Sequence, residues 1–475
     1  MVPRPAPAGF RRARVGRGSV RLAAVGSGRS SIPLERAPAR DAQLRDPALG
    51  AAGPRVLGPP LRVFDAERVR ILTFTSLYPS SVRPRHGVFI QERISQLARH
   101  TGHTVQVVAP VPYFPPLRWT HRWELTQVPR LERLSGLEVH HPRYFMTPKV
   151  GMFSYGWLMY RGTRRLVTEL HRRAPFDLID AHYVFPDGYA ALRIGKDLGL
   201  PVVLSARGTD IHTYPRLRSI RGILRRCLTQ ADRLIAVSAA LKRQMCELGA
   251  AADRVDVIPN GVDALKFHPW CRTAARERLG VPSGPVLLSA GNLTRNKGFD
   301  ILIRAMQELR RSFPGISLVI LGEGPARGEL EALIQRLELQ GVAMLRGAQD
   351  QATLPLWYSA ADLFCLASAQ EGCPNVILES ISCGTPVVAS RAGGIPEIVD
   401  SGSVGILAER TTPDFIRAIS LGLGRVWDRA SIAETASARG WDRVSEALVR
   451  TFDAALQSRN EARRGRDAAG GGRRR

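Results

Sequence analysis

From Val69 onward the chain alternates short apolar, β-branched runs with stretches whose apolar residues recur every three or four positions. A strand buried on both faces reads as a continuous apolar run and its crossover helix as a one-sided stripe, so the alternation predicts an α/β fold with parallel sheets. Strands are expected over 69–75, 103–110, 177–183, 201–206, 233–237 and 255–258, with a helix over 88–99 after the first. Pro259, Asn260, Gly261, Val262 and Asp263 make a turn-rich stretch that reads as a linker, and a second series opens with a strand over 285–290. Two Rossmann-like domains, 68–262 and 263–440, are expected to face each other across a cleft, with ligands at the carboxyl ends of the strands. At 475 residues the chain is long enough for two separate cores. A last helix is expected over 441–459.

In the second series, Glu371 and Glu379 straddle the start of a short helix that follows the apolar run 361–368. Asn375 reads as its N-cap and Gly384 as its C-cap, which leaves Glu371 in the loop and Glu379 one turn inside. A helix start offers unpaired N–H groups and a partial positive charge, favouring a diphosphate without a metal ion. With phosphates at Asn375, Val376 and Ile377, Glu371 reaches an attached sugar on one side and Glu379 a ribose on the other. Spacing alone fits equally well an arrangement in which one glutamate is solvated and the other caps a neighbour.

Upstream, the strand over 285–290 runs through Gly291, Asn292 and Arg295 to Lys297 and Gly298. An amphipathic helix then begins near Phe299 with Ile301, Leu302, Ala305, Met306 and Leu309 on its buried side. Lys297 therefore stands at a second helix start, a point charge suited to a leaving diphosphate. Glycine turns Gly322-Glu323-Gly324-Pro325 and Gly393-Gly394-Ile395-Pro396-Glu397 follow two further apolar runs.

Taken in this order, the segments resemble glycosyltransferase family 4, whose members have the GT-B fold and carry an E-x(7)-E pattern beside an upstream Lys-Gly. The resemblance implies a retaining transferase that moves a sugar from a nucleoside diphosphate sugar, a co-substrate rather than a cofactor, to a hydroxyl acceptor. It implies that Glu371 contacts the donor sugar, Glu379 the ribose and backbone near Arg346 the base, with Gly291, Gly322, Glu323 and Lys297 in the donor loops. Many members carry an arginine where this chain has Asn292; Arg295 either replaces it or faces solvent. The helix over 441–459 resembles the family's closing helix, which crosses back to the first domain. The first domain itself matches more loosely. Gly87 either lets backbone approach the donor phosphate or acceptor, or is an ordinary turn glycine. His182 ends a strand where members often keep an active-site histidine, although a histidine there is also a common core residue. Arg207 and Asp210 lie in a loop that resembles one lining the cleft on the acceptor side; Asp210 serves the acceptor or caps its own turn. Within the family the likeness is to transferases of bacterial cell-surface polysaccharide assembly, implying a lipid-linked or cell-surface glycan precursor as acceptor.

Charge widens the set of partners. A formal net charge of +26 implies anionic surroundings: phospholipid head groups, nucleotide diphosphates or nucleic acid. Residues 1–67, rich in Arg, Ala, Pro and Gly, and the basic tail 460–475 are expected to be disordered. The first of these has the composition of a transit peptide, lacks the apolar core of a secretory signal, and is read as a dispensable extension or an early start. Cys227, Cys246, Cys271, Cys365, Cys373 and Cys383 show no CxxC pair, which fits a reducing cytoplasm. No run approaches the roughly 18 apolar residues of a spanning helix, so membrane contact is expected to be peripheral, on the inner face. Residues 152–173 mix Phe153, Tyr155, Trp157, Leu158 and Tyr160 with Arg161, Arg164, Arg165, Arg172 and Arg173. With 113–119 they form an aromatic, basic face for an anionic membrane, or pack on their own sheet with solvated arginines.

No metal is expected: His140 and His141 are adjacent rather than at helical ligand spacing, and there is no DxD motif. Two rivals are weighed against transfer. A sugar-nucleotide 2-epimerase can share the fold, but the paired glutamates and Lys-Gly favour transfer. A nucleic-acid-binding protein is suggested by charge alone, without an RNA-recognition or helix-turn-helix signature.

Overall fold

The computed structural model describes residues 68–113, 123–146, 151–399 and 402–471, with side chains described as far as Glu461. The expectations for 1–67 and for 114–119 lie outside these residues. The first domain carries β1 (Arg70–Phe74), β2 (Thr104–Val108), β3 (Val111–Tyr113), β4 (Leu131–Leu134), β5 (Leu137–His140) and β6 (Arg143–Phe145). It continues with β7 (Leu178–His182), β8 (Val202–Ala206), β9 (Arg233–Ala236) and β10 (Val255–Val257). One sheet runs β10-β9-β8-β7-β1-β2-β5-β4, parallel apart from the β4–β5 hairpin, while β3 and β6 pair separately. In the second domain β11 (Val286–Ala290), β12 (Ser317–Leu321), β13 (Ala343–Leu345), β14 (Leu363–Leu366), β15 (Val387–Ser390) and β16 (Gly405–Ala408) follow. Their order is β13-β12-β11-β14-β15-β16, all parallel. In each sheet the chain order reverses beside the first strand of the series, β1 or β11. Such switch points open a crevice at the carboxyl ends of the strands.

The expected strands are all present within a residue or two of their expected ends. The β4–β5 hairpin was not anticipated; its two-residue turn has Ser135 at φ 49° and Gly136 at φ 82°, the double left-handed geometry that matches strand twist. Ile258 packs in the first domain's core and Val262 in the second's.

The last helix, Trp441–Gly471, returns to the first domain. Trp441, Val444, Leu448, Phe452 and Ala455 pack there with Ile90, Ile94 and Leu97 of the helix Val88–Thr101, and Thr451 Oγ1 donates to Asp256 Oδ2 at 2.8 Å. This helix corrects the expected end at 459: it continues through Gly471, because 441–471 contains no proline and its Ala, Glu, Gln and Arg residues favour helix.

The helix Tyr155–Arg173 settles the packing of that segment. Tyr155, Met159, Val167 and Leu170 face inward, the arginines face out, and Arg161 lies over the Trp157 ring. Phe153 and Trp157 stay 62% and 47% exposed. Among the described residues no helix is long and apolar enough to cross a membrane.

Candidate active site

A cavity of about 590 Å³ lies between the carboxyl ends of the two sheets. Gly87, Phe89, Arg207 and Asn260 line it from the first domain; Gly291, Asn292, Lys297, Glu371, Asn375, Val376 and Glu379 line it from the second. Two segments far apart in sequence thus meet, and the meeting is ionic: Lys297 Nζ lies 2.6 Å from Glu371 Oε1.

The helix behind Glu371 runs Asn375–Ser382, with Pro374 rather than Asn375 as its N-cap. Extended backbone at Pro374 starts the helix one residue early, so Asn375 does not cap it; its Oδ1 instead accepts from Asn260 Nδ2 at 2.7 Å. That shift corrects the three-amide reading. Ile377 is fully buried and its amide donates to Pro374 O at 3.1 Å, leaving the first-turn amides of Asn375 and Val376 for a ligand. Gly384, at φ 71°, closes the helix in the left-handed conformation. Glu379 is recessed, and Tyr358 Oη donates to its Oε2 at 2.7 Å. Burial pushes the Glu379 carboxyl above its usual range, against the pull of that hydrogen bond and of Lys266.

Close backbone contacts fix the loops. Gly322 packs so tightly that a Cβ there would lie 1.9 Å from Gly291 O, and one on Gly393 would lie 1.9 Å from Glu371 O. The glycine turns are therefore braces: Gly322 and Glu323 do not line the cavity, and the Glu323 carboxylate pairs with Arg327 on the surface at 2.9 Å. Gly87, at φ 73°, does line it, at the start of Val88–Thr101, and its Cβ would meet Leu77 O at 2.2 Å.

Several expected site residues are placed elsewhere. Arg295 is turned outward, where Glu329 holds it in two hydrogen bonds of 3.0 and 2.8 Å, so it does not stand in for the arginine absent at Asn292. The Arg346 amide donates to Ile320 O at 2.9 Å and its carbonyl accepts from Gln349 Nε2 at 2.8 Å; both backbone groups have partners within the second domain. Asp210 is fully buried and caps its own turn, accepting from the amides of Val184, Arg207 and Gly208. It cannot meet an acceptor.

His182 is also fully buried and is not a cavity residue. Its Nδ1 accepts from Arg207 Nη2 at 2.6 Å and its Nε2 faces Asp180 Oδ2 at 3.0 Å. Burial lowers its pKa to about 4, so the ring is neutral at pH 7, with its proton on Nε2. His182 therefore adjoins the cavity only by way of Arg207, which lines it. Sequence reasoning missed Asn260, Lys266 and Tyr358 as site residues; Asn260 was visible only as part of a turn.

Residues 86–264 match Glycosyltransferase Family 4 and residues 272–421 match Glycosyl transferases group 1. A D-inositol 3-phosphate glycosyltransferase of Pseudarthrobacter chlorophenolicus is 30% identical over 320 residues, covering 61% of this chain and 74% of that protein. The putative teichuronic acid biosynthesis glycosyltransferase TuaC of Bacillus subtilis is 28% identical over 339 residues, 70% of this chain and 83% of that protein. Sucrose-phosphate synthase of Thermosynechococcus elongatus has a similar fold, with a TM-score of 0.63 at 20% identity over 85% of this chain and 100% of that one. So has Anabaena HepE in complex with UDP and glucose, with a TM-score of 0.62 at 21% identity over 81% and 99%. The chain belongs to glycosyltransferase family 4 and is a transferase of GT-B fold.

Proposed function

We propose that this transferase moves a sugar from a nucleoside diphosphate sugar to a hydroxyl acceptor with retention of anomeric configuration. The observation that carries the reading is the Lys297–Glu371 pair beside the start of the Asn375 helix, with Glu379 deeper along that helix. An arriving diphosphate takes the Lys297 ammonium and the free amides of Asn375 and Val376, which releases the Glu371 carboxylate for hydroxyls of the donor sugar. Glu379, roughly 6 Å further along the axis at 1.5 Å per residue from Asn375, is placed for the ribose hydroxyls. HepE, of the same fold, was solved with UDP and glucose, which supports a donor of this class.

In the transfer step the bond between the anomeric carbon and the diphosphate oxygen breaks, and the acceptor oxygen bonds that carbon on the same face. The acceptor's proton passes to an oxygen of the departing phosphate. Lys297 and the helix amides meet the charge that develops there, and the nucleotide sugar is a co-substrate, with no bound cofactor in the step.

The acceptor is a lipid-linked or cell-surface glycan precursor, a reading supported by the teichuronic acid assignment in the name of the Bacillus relative. Peripheral contact with the anionic inner face of the cell membrane belongs to the same reading, supported by exposed Phe153 and Trp157 beside Arg161. The test is incubation with UDP-, GDP- and ADP-sugars and membrane lipid as the acceptor source, followed by NMR of the anomeric protons. Nucleoside diphosphate released with the sugar in the donor's own configuration is the expected result. Conversion of the donor to its 2-epimer, without diphosphate release, would establish the epimerase instead.

A further inference from the structure

Resting on the nucleotide-sugar reading of the cleft, we propose that Arg207 of the first domain supplies the second cation for the donor diphosphate, and that His182 is the residue that positions it. Lys297 is one cation at the Asn375 helix, but the family's arginine position is occupied by neutral Asn292, and Arg295 is committed to Glu329 on the outer face. Among the described residues lining the cavity, the lysines and arginines are Arg85, Arg207, Lys266 and Lys297. Arg85 faces Asp350 at 3.6 Å, and Lys266 faces Glu92 at 3.5 Å. Arg207 differs: its guanidinium donates to His182 Nδ1 at 2.6 Å and Asn260 Oδ1 at 3.4 Å, the buried carboxylates of Asp180 and Asp210 lie near it without a direct bond to it, and its buried Nε has no partner.

The placement suits a phosphate. Asn260 links Arg207 onward to Asn375 Oδ1 at 2.7 Å and Cys373 O at 3.3 Å, so a single side chain separates the guanidinium from the first residue of the Asn375 helix. The two loops also touch, since a Cβ on Gly372 would lie 2.6 Å from Arg207 O. A planar fork of N–H donors at that point matches two diphosphate oxygens, which a lysine ammonium cannot do. His182 acts only through Arg207. Its neutral ring accepts at Nδ1, which holds one arm of the fork, while Nε2 lies 3.0 Å from Asp180 Oδ2 without hydrogen-bond geometry.

The experiment is equilibrium binding of UDP, GDP and ADP and of the matching monophosphates to the full chain and its variants. The wild type is expected to prefer at least one diphosphate over its monophosphate. Arg207→Gln should lose about tenfold or more in affinity for that diphosphate while the monophosphate stays within about twofold. Adding Asn292→Arg to that variant should recover most of the loss. His182→Ala should erode the same preference and His182→Asn, whose amide oxygen can accept from Arg207, should restore it; a purely structural role would weaken both ligands alike. Arg207→Lys keeps the charge without the fork and should lose about fivefold, which keeps the test decisive if Arg207→Gln does not fold. An unchanged diphosphate preference in whichever Arg207 variant melts like the wild type overturns the proposal, as does an equal loss of both ligands. A folded wild type that binds none of the three diphosphates overturns the donor-site reading beneath it as well.

Discussion

Glu379 has one oxygen already engaged by Tyr358, so its remaining lone pairs are what a ribose can use; Glu371 is held only by an ammonium that the donor itself attracts. The two carboxylates should therefore fail differently. Glu379→Ala should weaken nucleotide binding by about 10- to 100-fold, the worth of hydrogen bonds to a charged group. Glu371→Ala should leave nucleotide affinity within about threefold and lower the transfer rate by about 100-fold or more, read as kcat against Kd. Equal, negligible effects would remove the site. Two buried groups outside the cleft make opposite contributions to stability versus pH. Burial raises Asp187, which Ser76 Oγ contacts at 3.1 Å, to about 7 from 3.8, so the stability of its neutral form is complete below pH 3.8 and lost as pH rises through about 7. His182 runs the other way, lowered from 6.5 to about 4, and costs stability as pH falls below 6.5. The two oppose each other in acid, and between pH 6.5 and about 7 the Asp187 contribution is still falling. The Asp187 contribution to melting temperature should fall as pH rises from 6.5 through about 7, so the slope there should be shallower in Asp187→Asn; an unchanged slope in that variant would remove Asp187 as the cause. Lys297, Glu371 and Glu379 were legible because each sits at a fixed offset from a glycine or helix start. The His182–Arg207 contact was not, because it exists only where β7 lies beside β8, with His182 opposite Ser205.

At the level of elements, the loop bearing Glu371 is held by the backbone of another loop. Gly393 has φ 54° and leaves no room for a Cβ against Glu371 O, so Gly393→Ala should cost about 1–3 kcal/mol in denaturant melts. It should also slow transfer more than it weakens nucleotide binding, since the displaced residue is Glu371. Full stability with full activity would show that the contact is soft. The glycine turns were legible in sequence as turns but not as braces, because bracing depends on a loop from another strand. Likewise the Asn375 helix was legible in type and length, while its cap moved by one residue because Pro374 takes the extended backbone of the N-cap position, which leaves the Asn375 side chain to Asn260. The Ser135-Gly136 turn carried a hairpin signal that the longer parallel pattern overshadowed.

Across the whole molecule, contacts far apart in sequence join the domains. Glu397 of the second caps the helix Ala239–Glu247 of the first, accepting from the amides of Ala239 and Ala240 at 2.8 Å each, and the terminal helix packs back on Val88–Thr101. Phe452→Ala, which empties the centre of that packing, should cost about 3–5 kcal/mol in denaturant unfolding; a cost below about 1 kcal/mol would mean the helix docks loosely. The two-sheet α/β plan was legible because buried strands and one-sided helices leave different periods in the chain. Where the domains touch was not, since those bonds span more than 100 positions and carry no local pattern. The most direct measurement of the central claim is a melting screen of the protein against UDP, GDP, ADP and their common sugar conjugates. A ligand that binds only the folded state must raise the melting temperature, so a rise selective for one base is expected, and Lys297→Ala and Glu379→Ala should each reduce it. A folded sample that responds to none of them, or variants that respond as the wild type does, would contradict it.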